Sequence, residues 1–159
     1  MTAASPPIMG TTMNVSRFHT AVLQLAVEDH EILSHFTKVI SRMFSSKSRA
    51  NAKKAAKAIS VLTNKTIAKH FIYEEQKVFA PLLAERPKHT AVKLVKKFQT
   101  EHKTLLKQIK QLERILTNYD MTSDANVLWK ALIRFLDNFE SHANKEDEFF
   151  HLLLDGIKE

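Results

Sequence analysis

The fold is decided between residues 91 and 118, which read AVKLVKKFQTEHKTLLKQIKQLERILTN. Apolar side chains recur there at alternating intervals of three and four residues, the pattern of an amphipathic helix that packs against other helices. One position of this apolar stripe is a histidine. The stripe consists of Val95, Phe98, His102, Leu105, Ile109, Leu112 and Leu116. The stretch therefore predicts a long helix that carries one polar group into a core.

Three further stretches have a helical period, and short polar segments separate them. The predicted helices cover residues 14–44, 51–84, 91–118 and from 123 or 124 to 154. Long helices with short connections are typical of an antiparallel up-down-up-down four-helix bundle. The sequence thus predicts an all-α bundle over residues 14–159, preceded by a flexible N-terminal arm over residues 1–13.

A set of polar residues occurs twice in the chain at a constant separation. Three pairs are 72 positions apart, namely His30 and His102, His70 and His142, and Glu74 and Glu146. The neighbours follow the same register, since an acidic residue precedes His30 and His102 and another follows each glutamate. Such self-similarity predicts that the bundle has an internal two-fold repeat.

The repeated residues fall at positions of the helices where leucine or isoleucine is expected. Residues four apart on a helix point the same way, so each His-x-x-x-Glu pair faces one point in the core. A buried carboxylate without a partner is costly, and cations bridged by carboxylates and capped by imidazoles remove that cost. We therefore predict a metal site with the ligands His30, His70, Glu74, His102, His142 and Glu146. The alternative is a core in which these groups hydrogen-bond to one another.

These motifs resemble those of the hemerythrin-like (HHE cation-binding) family. The resemblance covers residues 18–155 and rests on Asp29-His30, His70-x-x-x-Glu74-Glu75, Glu101-His102 and His142-x-x-x-Glu146-Asp147. It implies a four-helix bundle with two iron ions in an oxo- or hydroxo-bridged, carboxylate-bridged centre. Members bind oxygen, sense oxygen or iron, react with nitric oxide or peroxide, or help repair iron centres.

The sequence departs from the oxygen carriers of that family on the third helix. Carriers have a second histidine four residues from the first, whereas Phe98 and Leu106 flank His102 at that spacing. The four-His, two-Glu set looks more like the branch that handles nitric oxide and iron-centre damage. On the last helix the carriers use a His-x-x-x-x-Asp spacing, which His142 and Asp147 also match. Internal symmetry favours Glu146 over Asp147 as the ligand.

The implied function is a non-haem di-iron protein that binds or reacts with oxygen, nitric oxide or peroxide. The alternative is an iron- or oxygen-sensing regulatory module without turnover. A ferritin-like site needs two Glu-x-x-His motifs, and only Glu148 to His151 fits. Zinc suits the ligand types, but paired bridging suits two irons better. Tyr73 could approach an open iron site, but a role outside the ligand set is favoured. His19 lies three turns from His30, too far to bind the same metal, and His35, His89 and His151 are expected on the surface or in packing roles.

Composition narrows the range of other functions. The chain has no cysteine, which excludes disulfides and iron–sulfur clusters and fits the cytoplasm. No stretch approaches 18 apolar residues, so we expect no membrane span. The net charge is +7, but the lysines are spread over helix surfaces without an aromatic platform, so we expect no nucleic-acid partner. The expected partner is a small diatomic gas or peroxide.

Overall fold

The computed structural model describes residues 6–43, 48–120 and 122–158, and this part of the chain is helical with short connections. Helix α1 is Pro6–Met43, helix α2 covers 49–84, helix α3 is His89–Thr117 and helix α4 is Ala125–Lys158. No strand occurs among the described residues. The predicted all-α class is therefore confirmed. Within the described ranges, no helix combines the length and apolar character needed to cross a membrane.

Helix α2 is continuous but changes its winding. Its α-helical segments Arg49–Leu62, Ala68–Tyr73 and Ala80–Ala84 are separated by the π-helical segments Thr63–Ile67 and Glu74–Phe79. These π-helical segments are wide turns, with more residues per turn than an α-helix. At the first wide turn the Thr63 hydroxyl donates a hydrogen bond to the Ile59 carbonyl at 2.8 Å, where it competes with the backbone N–H groups. The periodicity of the sequence predicted one helix here but not the wide turns, which often occur at functional sites.

Helix ends follow local capping chemistry. The Ser48 side chain accepts a hydrogen bond from the Asn51 N–H at 3.1 Å at the start of α2. The Asp124 carboxylate accepts from the Asn126 N–H at 2.9 Å before α4. Helix α3 begins at His89, two residues before the predicted start at residue 91, and its N-cap residue Lys88 makes no side-chain capping hydrogen bond.

Helix α1 begins earlier than the periodicity of apolar residues predicted. It starts at Pro6, eight residues before the predicted start at residue 14, and proline is well tolerated in a first helical turn. Residues 6–13 of the predicted arm therefore lie within α1, and residues 1–5 lie outside the described residues. The flexibility of the arm stays a prediction.

The core consists of two apolar clusters with a polar layer between them. The first cluster includes Leu33, Phe71, Leu105 and Phe139, one from each helix. The second includes Leu23, Val78, Phe98 and Phe149, again one from each helix. In every helix the histidine of the 72-residue repeat lies between a residue of one cluster and a residue of the other. The fold thereby places four histidines at one level, sealed by apolar side chains at both ends.

Candidate metal centre

The structure brings all six predicted site residues together. Each helix contributes one histidine to the layer between the apolar clusters, and α2 and α4 each add a glutamate. None of the six is more than 4% exposed. Their burial follows from the sequence pattern, since each occupies a position of the apolar stripe of its helix.

The Glu74 carboxylate lies among three histidines. Its Oε1 is 2.9 Å from Nε2 of His70 and 3.5 Å from Nε2 of His102. Its Oε2 is 3.3 Å from Nε2 of His30. One carboxylate from α2 thus faces imidazole nitrogens of three helices, which is the position a bridging ligand requires.

The Glu146 carboxylate has the corresponding position on the other side of the layer. Its Oε1 is 2.5 Å from Nε2 of His142 and 3.4 Å from Nε2 of His30. Its Oε2 is 3.4 Å from Nε2 of His102. The two glutamates therefore share His30 and His102, and each has one histidine of its own helix four residues before it.

The inward atoms form two overlapping groups of metal-ligand donors. Donor atoms of Glu74, His102, His142 and Glu146 all lie within 4.8 Å of one another, and so do those of His30, His70 and Glu74. Glu74 belongs to both groups. The arrangement can hold two cations joined through a shared carboxylate, with imidazole nitrogens at the outer sides.

The outer nitrogen of each histidine contacts a carboxylate from the preceding helix, in a ring around the bundle. The Nδ1–carboxylate distances are 3.3 Å for His70–Asp29, 3.1 Å for His102–Glu75, 2.5 Å for His142–Glu101 and 2.6 Å for His30–Asp147. A carboxylate only accepts hydrogen bonds, so Nδ1 of each ring carries the proton. This fixes the ring orientation and turns Nε2 inward, as for most metal-binding histidines.

The inward atoms have no hydrogen-bond partners, although they are buried. They are Nε2 of His30, His70, His102 and His142 and both carboxylate oxygens of Glu74 and Glu146. With Nδ1 protonated, a neutral imidazole offers a lone pair at Nε2, and the carboxylates also offer only lone pairs. Eight acceptors that face one another need a positive charge between them. The residues present therefore fit bound cations.

Protonation of the histidines is the other way to supply that charge. Burial lowers the pKa of His30, but the attraction of the protonated ring to the carboxylates of Asp147, Glu146 and Glu74 outweighs it and raises the pKa to about 12. Burial likewise opposes the shift of His102, whose pKa Glu146 and Glu74 raise to about 10. Burial raises the pKa of Glu74, yet its contacts with the histidines bring it well below 4.5. The layer therefore favours anionic carboxylates and a compensating cation, either protons or metal.

Aromatic rings surround the layer and exclude water from it. The Phe71 ring stacks on His102 with a centroid distance of 4.1 Å, and Phe150 stacks on His30 at 6.0 Å. Phe98 lies edge-on to His142 at 5.9 Å. Electrostatic interactions inside this apolar shell are stronger than in water.

The remaining candidates lie outside the layer. The Tyr73 hydroxyl donates to the Val22 carbonyl at 3.4 Å, and burial together with the Asp29 charge raises the pKa of Tyr73. His35, His89 and His151 are exposed, as expected. The side chain of His19 lies outside the described residues.

The six inner residues were predicted from the sequence, whereas the outer carboxylates, those that contact Nδ1 of the histidines, were given no supporting role. Asp29, Glu75 and Glu101 are functional residues of this kind, and Asp147 was considered only as a ligand. The available signal was their sequence position, because each directly adjoins an inner residue and follows the 72-residue register. The register does not predict which histidine each carboxylate contacts. The structure shows that this histidine belongs to the next helix of the ring.

Comparisons with known proteins agree with the motifs. The family model of the hemerythrin HHE cation binding domain matches residues 21–154, a range that contains every residue of the layer and of the outer ring. No curated protein and no solved structure gives a significant match to the chain. On the family match, this chain belongs to the hemerythrin HHE cation-binding domain family.

Proposed function

We propose that this protein is a non-haem di-iron protein that binds or reacts with a small oxidant, namely oxygen, nitric oxide or peroxide. The observation that carries the proposal is the pair of donor groups that share Glu74. Two metal ions held between carboxylates can exchange electrons with a small molecule bound to them. Iron fits the all-nitrogen and oxygen donor set, and carboxylate bridging of two ions distinguishes it from a single-ion zinc site.

In this proposal the ligands divide between the two positions. His30, His70 and Glu74 hold one ion, and His102, His142, Glu146 and Glu74 hold the other. Asp147 holds the His30 ring through Nδ1, which supports Glu146 as the ligand from α4. The outer carboxylates keep Nδ1 protonated so that Nε2 is free to donate its lone pair.

The surroundings determine what can approach the layer. Aromatic and aliphatic side chains above and below it admit small neutral molecules more easily than hydrated ions, since a charged group is costly in apolar surroundings. The inner residues are four histidines and two carboxylates, and they lack the second histidine that an oxygen carrier has on its third helix. Fewer protein ligands leave more positions for an added molecule, which supports reactivity as well as binding.

The arrangement of the helices is part of the proposal. Tyr73 in the second half of α2 contacts Val22 in the first half of α1, and Ser60 in the first half of α2 donates to Glu113 in the second half of α3. Each contact joins the first half of one helix with the second half of its neighbour. They support an up-down-up-down order, and the ring of four outer contacts supports a two-fold repeat.

We also propose that the protein acts in the cytoplasm on a small diatomic gas or peroxide. The absence of cysteine supports a cytoplasmic site of action, and we propose no nucleic-acid or membrane partner. Cell fractionation tests the first point. Binding of the purified protein to duplex DNA or to anionic vesicles at physiological ionic strength would contradict the second.

The test of the metal proposal is analysis of the protein purified in air. We expect about two irons per chain and a near-ultraviolet charge-transfer band, with both reduced in His70→Ala and His142→Ala. His35→Ala removes an exposed histidine and is the matched control. Folded protein that takes up no iron in anaerobic reconstitution would overturn the proposal.

A second measurement separates reaction from sensing. The reduced, iron-loaded protein is mixed anaerobically with oxygen, nitric oxide or hydrogen peroxide in turn, and the absorbance is followed. Repeated consumption of oxygen or nitric oxide in the presence of an added electron donor, or repeated disproportionation of hydrogen peroxide without one, supports reaction. A single reversible change of absorbance supports carriage or an iron- or oxygen-sensing module.

A further inference from the structure

Two surface grooves reach the histidine layer at positions related by the 72-residue register. The first groove, about 300 Å³, is lined by Asp29, Ile32, Lys65, Lys69, His70 and Tyr73. The second groove, about 440 Å³, is lined by Lys97, Glu101, Thr104, Ser141, His142 and Lys145. Each groove contains one histidine of the layer and its outer carboxylate. Two lysines line each groove, so net charge does not distinguish them.

The outer contact differs between the two grooves. Asp29 is 48% exposed and lies 3.3 Å from His70, whereas Glu101 is 23% exposed and lies 2.5 Å from His142. Glu101 is also braced by Lys145, whose Nζ is 3.7 Å from its other oxygen. Glu101 is one methylene longer than Asp29, and at the separation of α3 and α4 the longer side chain reaches the ring. The other repeat pair differs less and in the opposite sense, because Asp147 lies 2.6 Å from His30 and Glu75 lies 3.1 Å from His102; the separation of the helices therefore matters as well as side-chain length.

The inner donors differ as well. On the side of His142 four donor residues converge within 4.8 Å, and on the side of His70 three do. Fewer converging donors mean weaker binding of a cation, other things being equal. The half of the layer with His30 and His70 has the fewer donors. Its His70 also has the longest Nδ1–carboxylate distance of the four histidines, 3.3 Å to Asp29.

The backbone shows a third difference. His70 lies in the short α-helical segment Ala68–Tyr73, between the π-helical segments Thr63–Ile67 and Glu74–Phe79. His142 lies in α4, which is α-helical from Ala125 to Lys158. A wide turn leaves the helical hydrogen-bond register less regular, so the segment with His70 can shift more easily than that with His142.

We propose that the two metal positions are unequal: the position formed by His102, His142, Glu146 and Glu74 binds a divalent cation first and retains it, and the position formed by His30, His70 and Glu74 exchanges its cation through the first groove. This inference rests on the proposed metal centre and adds an order of loading and a route. Release requires one imidazole to turn away, and His70 has the weakest outer contact and opens directly onto a groove.

The experiment uses the full chain, stripped with a chelator and titrated anaerobically with Co²⁺, whose absorption reports each ligand set. We expect two binding steps with affinities at least about tenfold apart. His70→Ala should remove the weaker step, and His142→Ala should impair the tighter one. Circular dichroism of each variant confirms that the helices remain.

Exchange of the repeat-related carboxylates tests the route. The Co²⁺-loaded protein is mixed with excess chelator, and release should show one fast and one slow phase. Asp29→Glu gives the first groove the longer side chain and should slow the fast phase alone. Glu101→Asp should accelerate the slow phase alone.

The outcomes separate this inference from the proposed function. Two cations that bind in one step, or leave in one phase, would overturn the inequality and leave the metal centre intact. An effect of Asp29→Glu on the slow phase alone would overturn the assignment of the positions. A stripped protein that binds no cation of any kind would overturn both proposals.

Discussion

Nδ1 of His30 on α1 lies 2.6 Å from Oδ1 of Asp147 on α4, 117 positions further along the chain. This contact closes the ring in which a carboxylate of each helix holds the histidine of the next. Because Asp147 accepts the hydrogen bond of Nδ1–H, Nε2 of His30 faces Glu74 and Glu146 at 3.3 and 3.4 Å. The last helix thus supplies two adjacent carboxylates with different tasks, one in the layer and one behind it.

Substitution of Asp147 should weaken metal binding without removing a ligand. In Asp147→Ala the His30 ring loses its outer hydrogen bond, and we expect about 10- to 100-fold weaker metal affinity with the same number of metals per chain. Competition with a chromogenic chelator measures the affinity. The control is Glu148→Ala, an exposed acidic residue one position further. Loss of one metal per chain in Asp147→Ala at saturating metal would instead make Asp147 a ligand.

Glu74 should matter for both metals. It belongs to both donor groups, whereas Glu146 belongs to one. We therefore expect that Glu74→Ala lowers the affinity at both positions and Glu146→Ala mainly at one, as measured by metal analysis after gel filtration. Glu140→Ala, an exposed glutamate on α4, is the control. Equal losses in the two layer variants would contradict the special role of Glu74.

The stripped protein should lose stability as the pH rises. The pKa of His30 is raised from 6.5 to about 12 and that of His102 to about 10, so their stabilisation is complete below pH 6.5 and decreases above it. The pKa of Glu74 is lowered from 4.5, so its stabilisation is lost as the pH falls below 4.5. Urea unfolding across this range should show maximal stability between pH 4.5 and 6.5.

The metal-loaded protein should behave in the opposite way above pH 6.5. Metal binding displaces the Nε2 protons, so the stabilisation by metal increases as the pH rises. In the stripped protein, the double variant His30→Gln, His102→Gln should show a smaller decrease in the free energy of unfolding as the pH rises above 6.5. His35→Gln, at an exposed position, should leave that decrease unchanged. Stability of the stripped wild-type protein that increases with pH above 6.5 would contradict the assignment.

The first apolar cluster, which contains Phe135, should contribute strongly to the stability of the fold. Phe135 is fully buried and stacks on Phe139 with a centroid distance of 6.1 Å. Phe135→Ala should lower the free energy of unfolding by about 3–5 kcal/mol. Ile133→Ala removes an exposed apolar side chain of the same helix and should change it by less than about 0.5 kcal/mol. Similar losses in both variants would show that Phe135 is not part of a packed core.

The sequence by itself determined the helices and the inner residues, because both depend on local periodicity. A helix buries every third or fourth residue, so His102 in an apolar stripe had to enter the core, and the 72-residue register added its partners. Local periodicity also explains the errors at α1 and α3, since the ends of a helix depend on capping contacts rather than on the stripe.

Only the tertiary structure decided how the groups pair across helices. The contact of Asp29 with His70 and that of Asp147 with His30 join residues 41 and 117 positions apart, and no local pattern specifies such distances. The difference in carboxylate contact between the two grooves also follows from packing, because the extra methylene of Glu101 relative to Asp29 changes the distance to the ring only where two helices meet at a fixed separation. The residue types thus gave the chemistry of the layer, and the packing gave its asymmetry.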